Sequence, residues 1–345
     1  RPVLYLGGGI VHSGAGDLAV QLAEKASLPT TTTLMALGAI PADHPLNLGM
    51  LGMHAARFTN LALHECDLLI AIGARFDDRA TGKVAGFCPD AKIVHIDIDA
   101  PELSKIKAAH VGIVGDAMQA IEQLLPLRAM QLRERWLTRV ASLKHECPLV
   151  RERLDDPRSH YGLVHAVASV LDLVDPTAIV TTDVGQHQMW VAQAYPFRQP
   201  RQWITSGGLG TMGYGLPAAI GAALAHPDRT VVCFTGDGSI LMNLQEFATA
   251  VEENANVKIV LMNNRGLGLV TQQQTLFYGK RLFASTYATP PDFVKIAQGF
   301  GMATLDLDTV KNPRLALADA MVRPGPCLIH ASIDSAAQVL PMVPP

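Results

Sequence analysis

The chain has 345 residues, 49% of them hydrophobic and 17% charged, with a net charge of −3. This is an ordinary globular composition with room for about two domains of roughly 150 residues each. It gives no electrostatic case for nucleic acid or an anionic membrane as a partner, and the longest strongly apolar stretch, residues 216–225, is too short to span a bilayer. The chain opens on Arg1-Pro2-Val3-Leu4 with no signal peptide, directly on a strand, as if cut from something longer. Its five scattered cysteines form no C-x-x-C pair, which fits reduced core thiols in a cytoplasmic protein.

Short β-branched runs alternate with helical patterns. The first part predicts strands at 3–6, 30–34, 68–72 and 92–97, with helices at 18–27, 58–66 and 117–127. Residues 128–158 are dense in Arg, Lys and Glu and end in Asp155-Asp156-Pro157, which predicts an exposed helical linker. A second series then begins. Helices are predicted at 161–173, 186–194, 216–225, 241–253, 293–300 and 315–321. Strands are predicted at 178–183, 203–205, 230–235, 257–262, 303–306 and 327–333. The fold class is therefore α/β, with two tandem, doubly wound, mostly parallel sheets. The domains are 1–127, the linker 128–158, and 159–345.

One pattern carries chemistry. The buried-strand run 231–235 ends in Gly236-Asp237-Gly238-Ser239, and the next strand ends in Asn263-Asn264. Ligands of open α/β sheets sit at the carboxyl ends of strands, and glycines let the backbone approach an anion. An Asp there would repel a phosphate unless a cation lay between them, so Asp237 argues for a metal bridging protein and phosphate. A tight turn, a capping Asp and an amide pair ending a strand would leave the same residues. In the first domain, Gly7-Gly8-Gly9 follows a strand but is not the dinucleotide fingerprint. Gly73-Ala74-Arg75-Phe76-Asp77-Asp78-Arg79 places charges at a strand end, either functional or simply solvated. Asp97 ends another strand, where ribose hydroxyls are often held or where an Asp closes a turn.

The Gly236-Asp237-Gly238 and Asn263-Asn264 pair resembles the signature of thiamine-diphosphate enzymes. Asp183-Val184-Gly185-Gln186-His187-Gln188-Met189-Trp190 and Ser206 to Pro217 narrow the resemblance to the catalytic large subunits of acetolactate synthase, on the side of the bacterial isozyme I type. The likeness runs over essentially the whole chain. It implies magnesium held by Asp237, Asn264 and the Gly266 carbonyl, and a diphosphate cradled by Gly236, Gly238 and Ser239. Val184, Gly185, Gln186 and His187 would reach the same end, with Leu267 nearby. Gly210 and Met212 would hold the aminopyrimidine, with Met212 wedged beneath the cofactor.

The first domain is similar to the family's FAD domain. That implies FAD contacts from Gly8, Gly9, Gly52, Met53, His54, Gly73, Arg75, Asp77, Arg79, Asp97 and Asp116. Arg75 would lie near the pyrophosphate, and Asp97 and Asp116 near the adenosine.

The implied reaction condenses two pyruvates to 2-acetolactate and carbon dioxide, a transferase step in branched-chain amino-acid biosynthesis, with 2-ketobutyrate as a second acceptor. A homodimer or tetramer and a regulatory small subunit are implied as partners. The family's activating Glu lies in an N-terminal domain that these residues do not include, and a short tail beyond Met342-Val343-Pro344-Pro345 is also absent. No general base is assigned here, and the chain alone is expected to bind cofactors weakly without turnover. Many relatives carry a Trp where this chain has Gln273, which predicts weak discrimination between pyruvate and 2-ketobutyrate. Other thiamine-diphosphate carboligases or oxidases, and a non-catalytic cofactor-binding fragment, are the competing readings.

Overall fold

The structure, a computed structural model, describes residues 1–127 and 132–343. The first four residues of the stretch read as a linker, 128–131, and the last two, 344–345, lie outside the described residues. The chain divides into two compact units. The first gathers Arg1–Val150 with residues 196–201 and the stretch from Leu340, and the second gathers Arg151–Tyr195 with Gln202–Val339.

The first unit is built on six strands: β1 (Pro2–Leu6), β2 (Thr30–Thr32), β3 (Asn47–Met50), β4 (Leu68–Ile72), β5 (Lys92–Asp97) and β6 (Val111–Val114). They pair in parallel in the order β3-β2-β1-β4-β5-β6. The central strand β1 is buried along its whole length, as a parallel strand covered on both faces must be. The helix Gly16–Ala26 lays Ala19, Leu22, Ala23 and Ala26 against the core, a spacing that repeats every three or four residues.

The basic stretch does not behave as an exposed linker. Its helix Glu134–Glu146 buries Trp136, Val140 and Leu143 in the first unit's core. The Trp136 indole donates to the Pro2 carbonyl at 2.9 Å, and Arg139 grips Glu65 through Nε (2.9 Å) and a terminal nitrogen (2.6 Å). Its apolar residues recur at i, i+4 and i+7 beneath the charges.

The second unit has β7 (Ile179–Thr182), β8 (Trp203–Thr205), β9 (Val231–Gly236), β10 (Val257–Asn263), β11 (Ala303–Asp306) and β12 (Cys327–Ser332). They run parallel in the order β11-β12-β10-β9-β7-β8. Strands β9 and β10 are buried at every position. The predicted helix 241–253 is broken: a 3-10 turn, Leu244–Glu246, precedes a short helix, Phe247–Glu252. Asn243 leaves helical geometry (φ −142°, ψ 26°) and donates its amide to the Gly213 carbonyl at 2.7 Å. Among the described residues no helix is long and apolar enough to cross a membrane.

Candidate functional site

All strands of each sheet run one way, so their carboxyl ends share an edge. In the second unit the chain leaves β7 toward β8 on one side and β9 on the other, which makes a switch point between β7 and β9. Val184 and Gly185 follow β7, Asp237 follows β9, and Asn264 follows β10. Met262 stands opposite Gly236 in register, so the two polar strand ends are neighbours. A cleft of about 120 Å³ opens at this edge. It is lined by Val184, Gly185, Gln186 and His187, by Gly236, Asp237, Gly238 and Ser239, and by Met212, Asn264, Gly266 and Leu267. Of the second-unit candidates only Gly210 stands outside the lining, two residues before Met212. It has φ +67°, a left-handed conformation that suits glycine.

Asp237 is 1% exposed. Its Oδ1 accepts the Gly238 N–H at 2.9 Å and its Oδ2 the Gly266 N–H at 2.8 Å. Among the described residues no cation pairs with it. Burial raises its pKa to about 6, against the pull of those N–H donors. A buried carboxylate without a counter-charge is costly unless a cation arrives.

Asn264 donates its amide nitrogen to Gln186 Oε1 at 2.8 Å, which leaves its oxygen as the spare donor atom. Gln186 in turn donates to Gln272 and to the Ala337 carbonyl, both at 2.9 Å. A carboxylate, an amide oxygen and a main-chain carbonyl make a hard donor set suited to magnesium.

His187 is buried, and among the described residues its Nε2 has no hydrogen-bond partner. Burial lowers its pKa to about 3, partly offset by a hydrogen bond to the Asp183 main chain. An orphaned ring nitrogen lining a cleft is a place where a ligand atom fits. The glycines make room: a methyl on Gly236 would lie 2.8 Å from His187 Nδ1, and one on Gly238 2.9 Å from the Tyr287 hydroxyl. Ser239 donates its hydroxyl to the Val184 carbonyl at 2.9 Å, tying the two strand ends together. The buried Asp183 braces the loop that carries Met212, accepting from Gly215 N at 2.8 Å and Thr235 Oγ1 at 2.7 Å. Burial raises its pKa too.

In the first unit the candidates divide. A methyl on Gly9 would lie 2.7 Å from Gly73 Cα, and one on Gly73, at φ +61°, 2.6 Å from Gly9 Cα. These two glycines, with Gly7 between β1 and the helix Gly8–Ser13, let the β1 and β4 ends close on each other, while Gly8 opens that helix. Gly52, Met53 and Arg79 line a cleft of about 170 Å³, and the Met53 N–H donates to the Arg79 carbonyl at 2.9 Å. Burial lowers the pKa of His54, which bonds the Pro341 carbonyl through Nδ1 at 3.1 Å.

Arg75, Asp97 and Asp116 stand apart from that cleft. Arg75 is exposed. Asp77 caps the short helix Asp78–Thr81, accepting from Ala80 N. Asp97 closes a turn on Asp99 N at 2.9 Å, and Asp116 accepts from Met118 N and Gln119 N at the start of the next helix. Sequence reasoning did not single out Thr32 and Thr33. Their hydroxyls are buried without partners among the described residues at the β2 end, where Thr32 pairs with Leu6.

Two family models match the chain. Residues 1–124 match the thiamine pyrophosphate enzyme central domain, and residues 183–331 match the thiamine pyrophosphate enzyme C-terminal TPP binding domain. Over its whole length the chain is 59% identical to the acetolactate synthase isozyme 1 large subunit of Escherichia coli and 43% identical to the isozyme 2 large subunit of the same organism. It is 44% identical to a probable acetolactate synthase large subunit of Methanocaldococcus jannaschii. The chain spans 60%, 62% and 59% of the length of these relatives. The chain belongs to the thiamine pyrophosphate enzyme family and, within it, groups with the acetolactate synthase large subunits.

Proposed function

We propose that this chain supplies the diphosphate-and-magnesium side of a thiamine-diphosphate site in an enzyme that condenses two pyruvates, or pyruvate and 2-ketobutyrate, to a 2-aceto-2-hydroxy acid. The observation that carries this reading is Asp237, a buried carboxylate with two N–H donors and no basic side chain paired with it among the described residues, set beside Asn264 at the β9–β10 edge. Asp237, the Asn264 amide oxygen and the Gly266 carbonyl would hold magnesium. Gly236, Gly238 and Ser239 would admit the diphosphate, with His187 Nε2 finding its missing partner among the ligand or its waters. Met212 and Leu267 line the same cleft and would present apolar surface to the organic part of the cofactor. When bound, thiamine diphosphate supplies the carbanion chemistry that takes up a 2-keto acid and releases carbon dioxide.

This chain's own contribution is binding, orientation and exclusion of water. No Glu lines the cleft among the described residues, so the carboxylate that activates the cofactor has to come from outside the lining. Gln273 does line the cleft, from the helix Gly268–Phe277, and in this reading would touch the acceptor. The first unit would hold FAD at the carboxyl edge of its sheet. The strand order β3-β2-β1-β4-β5-β6 is that of dinucleotide-binding folds, and the unpartnered Thr32 and Thr33 hydroxyls face the need of a polar ligand. A regulatory small subunit and a dimeric or tetrameric assembly belong to the same reading.

Calorimetric titration with thiamine diphosphate, with magnesium and with EDTA, tests the site. Binding that requires magnesium supports it, and equal heats in both arms reject it. On the protein as its source organism makes it, product analysis from pyruvate is expected to find 2-acetolactate. A Gln273→Trp variant is expected to shift mixed-substrate product toward the 2-ketobutyrate adduct by about 10-fold, the scale of one extra methyl in an apolar contact.

A further inference from the structure

Asn263 belongs to the motif that ends β10, yet the cation reading uses only Asn264. Asn263 Oδ1 accepts the Arg265 N–H at 3.1 Å, which fixes the orientation of its amide. Its nitrogen then points at His330 Nε2, 3.1 Å away. An amide nitrogen is only a donor, so Nε2 must be bare and the ring proton must sit on Nδ1. Nδ1 lies 3.0 Å from Asp306 Oδ1 and 3.8 Å from Asp308 Oδ2. Asp306 Oδ1 is itself steadied by the Asp308 N–H at 3.1 Å. Strand register explains the line-up. His330 on β12 stands opposite Asp306 on β11 and opposite Leu261 on β10, two residues before Asn263 and on the same sheet face. Asp306, Asp308 and His330 lie within 4.8 Å of one another, a spacing that would also suit a cation, but this chain of hydrogen bonds accounts for it.

Downstream of Asn263 the backbone turns sharply. Arg265 has φ +61°, and the Gly266 N–H reaches Asp237 Oδ2. We infer that His330 is a positioning residue for the cation loop: with its tautomer fixed by Asp306, it holds Asn263, and through it the Arg265–Gly266 turn, in the shape that presents Gly266 to Asp237. This rests on the magnesium reading of the site. Partners that orient a ligand loop from behind commonly change metal affinity by about 10–100-fold when removed.

The test uses the 345-residue chain and reads the magnesium concentration that gives half-maximal thiamine-diphosphate binding by calorimetry. It is run at a temperature where circular dichroism shows every variant folded. His330→Asn keeps a polar atom near the Nδ1 position but offers no acceptor to Asn263, and half-saturation is expected to rise about 10-fold. His330→Gln places an amide at the Nε2 position and is expected to return it to near the wild-type value. In an Asn263→Ala background, His330→Asn is expected to add nothing further, because both changes remove one interaction. Unchanged magnesium dependence in His330→Asn overturns the inference, as do equal losses in the Asn and Gln variants or additive losses in the double variant. If the wild-type chain shows no magnesium-dependent binding, the site reading itself falls and takes this inference with it.

Discussion

Removing the charge of Asp237 while keeping its size, as in Asp237→Asn, is expected to abolish the magnesium-dependent rise in melting temperature with thiamine diphosphate. A variant that kept the full rise would show that this carboxylate is only a turn cap. His187 makes a different prediction, about acid. Its pKa is about 3 in the folded chain against an ordinary 6.5, because burial disfavours the charged ring. His160, lowered to about 4 by burial, has the same sign. Below pH 6.5 the unfolded chain takes up these protons and the folded chain does not. Their contribution to stability is therefore complete above that pH and is lost as pH falls toward 4 and 3. Melting temperature measured from pH 7 to pH 4 should fall less steeply in His187→Gln than in the wild type. The strand-end residues were readable because a β-run, two glycines and an acid are local signals. Thr32, Thr33, Gln272 and His330 gave none, since what sets them apart is the partner each meets or lacks in the folded chain. Asp97 was readable as a strand-end acid and Asp116 only through the family resemblance, but their turn and helix caps appear only with the backbone in place.

The helix Glu134–Glu146 shows how an element can hide. Its apolar positions 136, 140 and 143 have helical spacing, but the charges of Glu134, Arg135, Arg139, Lys144 and Glu146 dominate its pattern, and the first strand it packs on lies over a hundred residues away. Trp136→Ala should cost about 3–5 kcal/mol, as large buried aromatics do, and appear as a lower melting temperature of the first unit. An effect within ~0.5 kcal/mol, typical of exposed sites, would return the helix to the role of linker. Most other strands and helices followed from periodicity within a residue or two. Strands β3 and β6 were missed for physical reasons. Each is four residues long at a sheet edge, β3 carries Gly49 at φ +73° and a register shift against β2, and β6 is largely exposed. Edge strands need not be apolar, so they leave little pattern.

Each unit of the molecule has a hydrophobic core of its own. Calorimetry is therefore expected to resolve two unfolding transitions. Magnesium with thiamine diphosphate should raise one of them, by about 2.7 kcal/mol at a hundredfold excess over Kd, and FAD the other. Both ligands moving a single transition would contradict the assignment of one cofactor to each unit. The first unit, however, is not one stretch of chain. Residues 196–201 belong to it, with Phe197 accepting the Ala42 N–H, and so does the stretch from Leu340, where Val343 N donates to the Met53 carbonyl. On the ribosome, then, this unit waits for residues made long after its own strands: its sheet can form early, but its edge beside Gly52–His54 closes only after Leu340 has emerged.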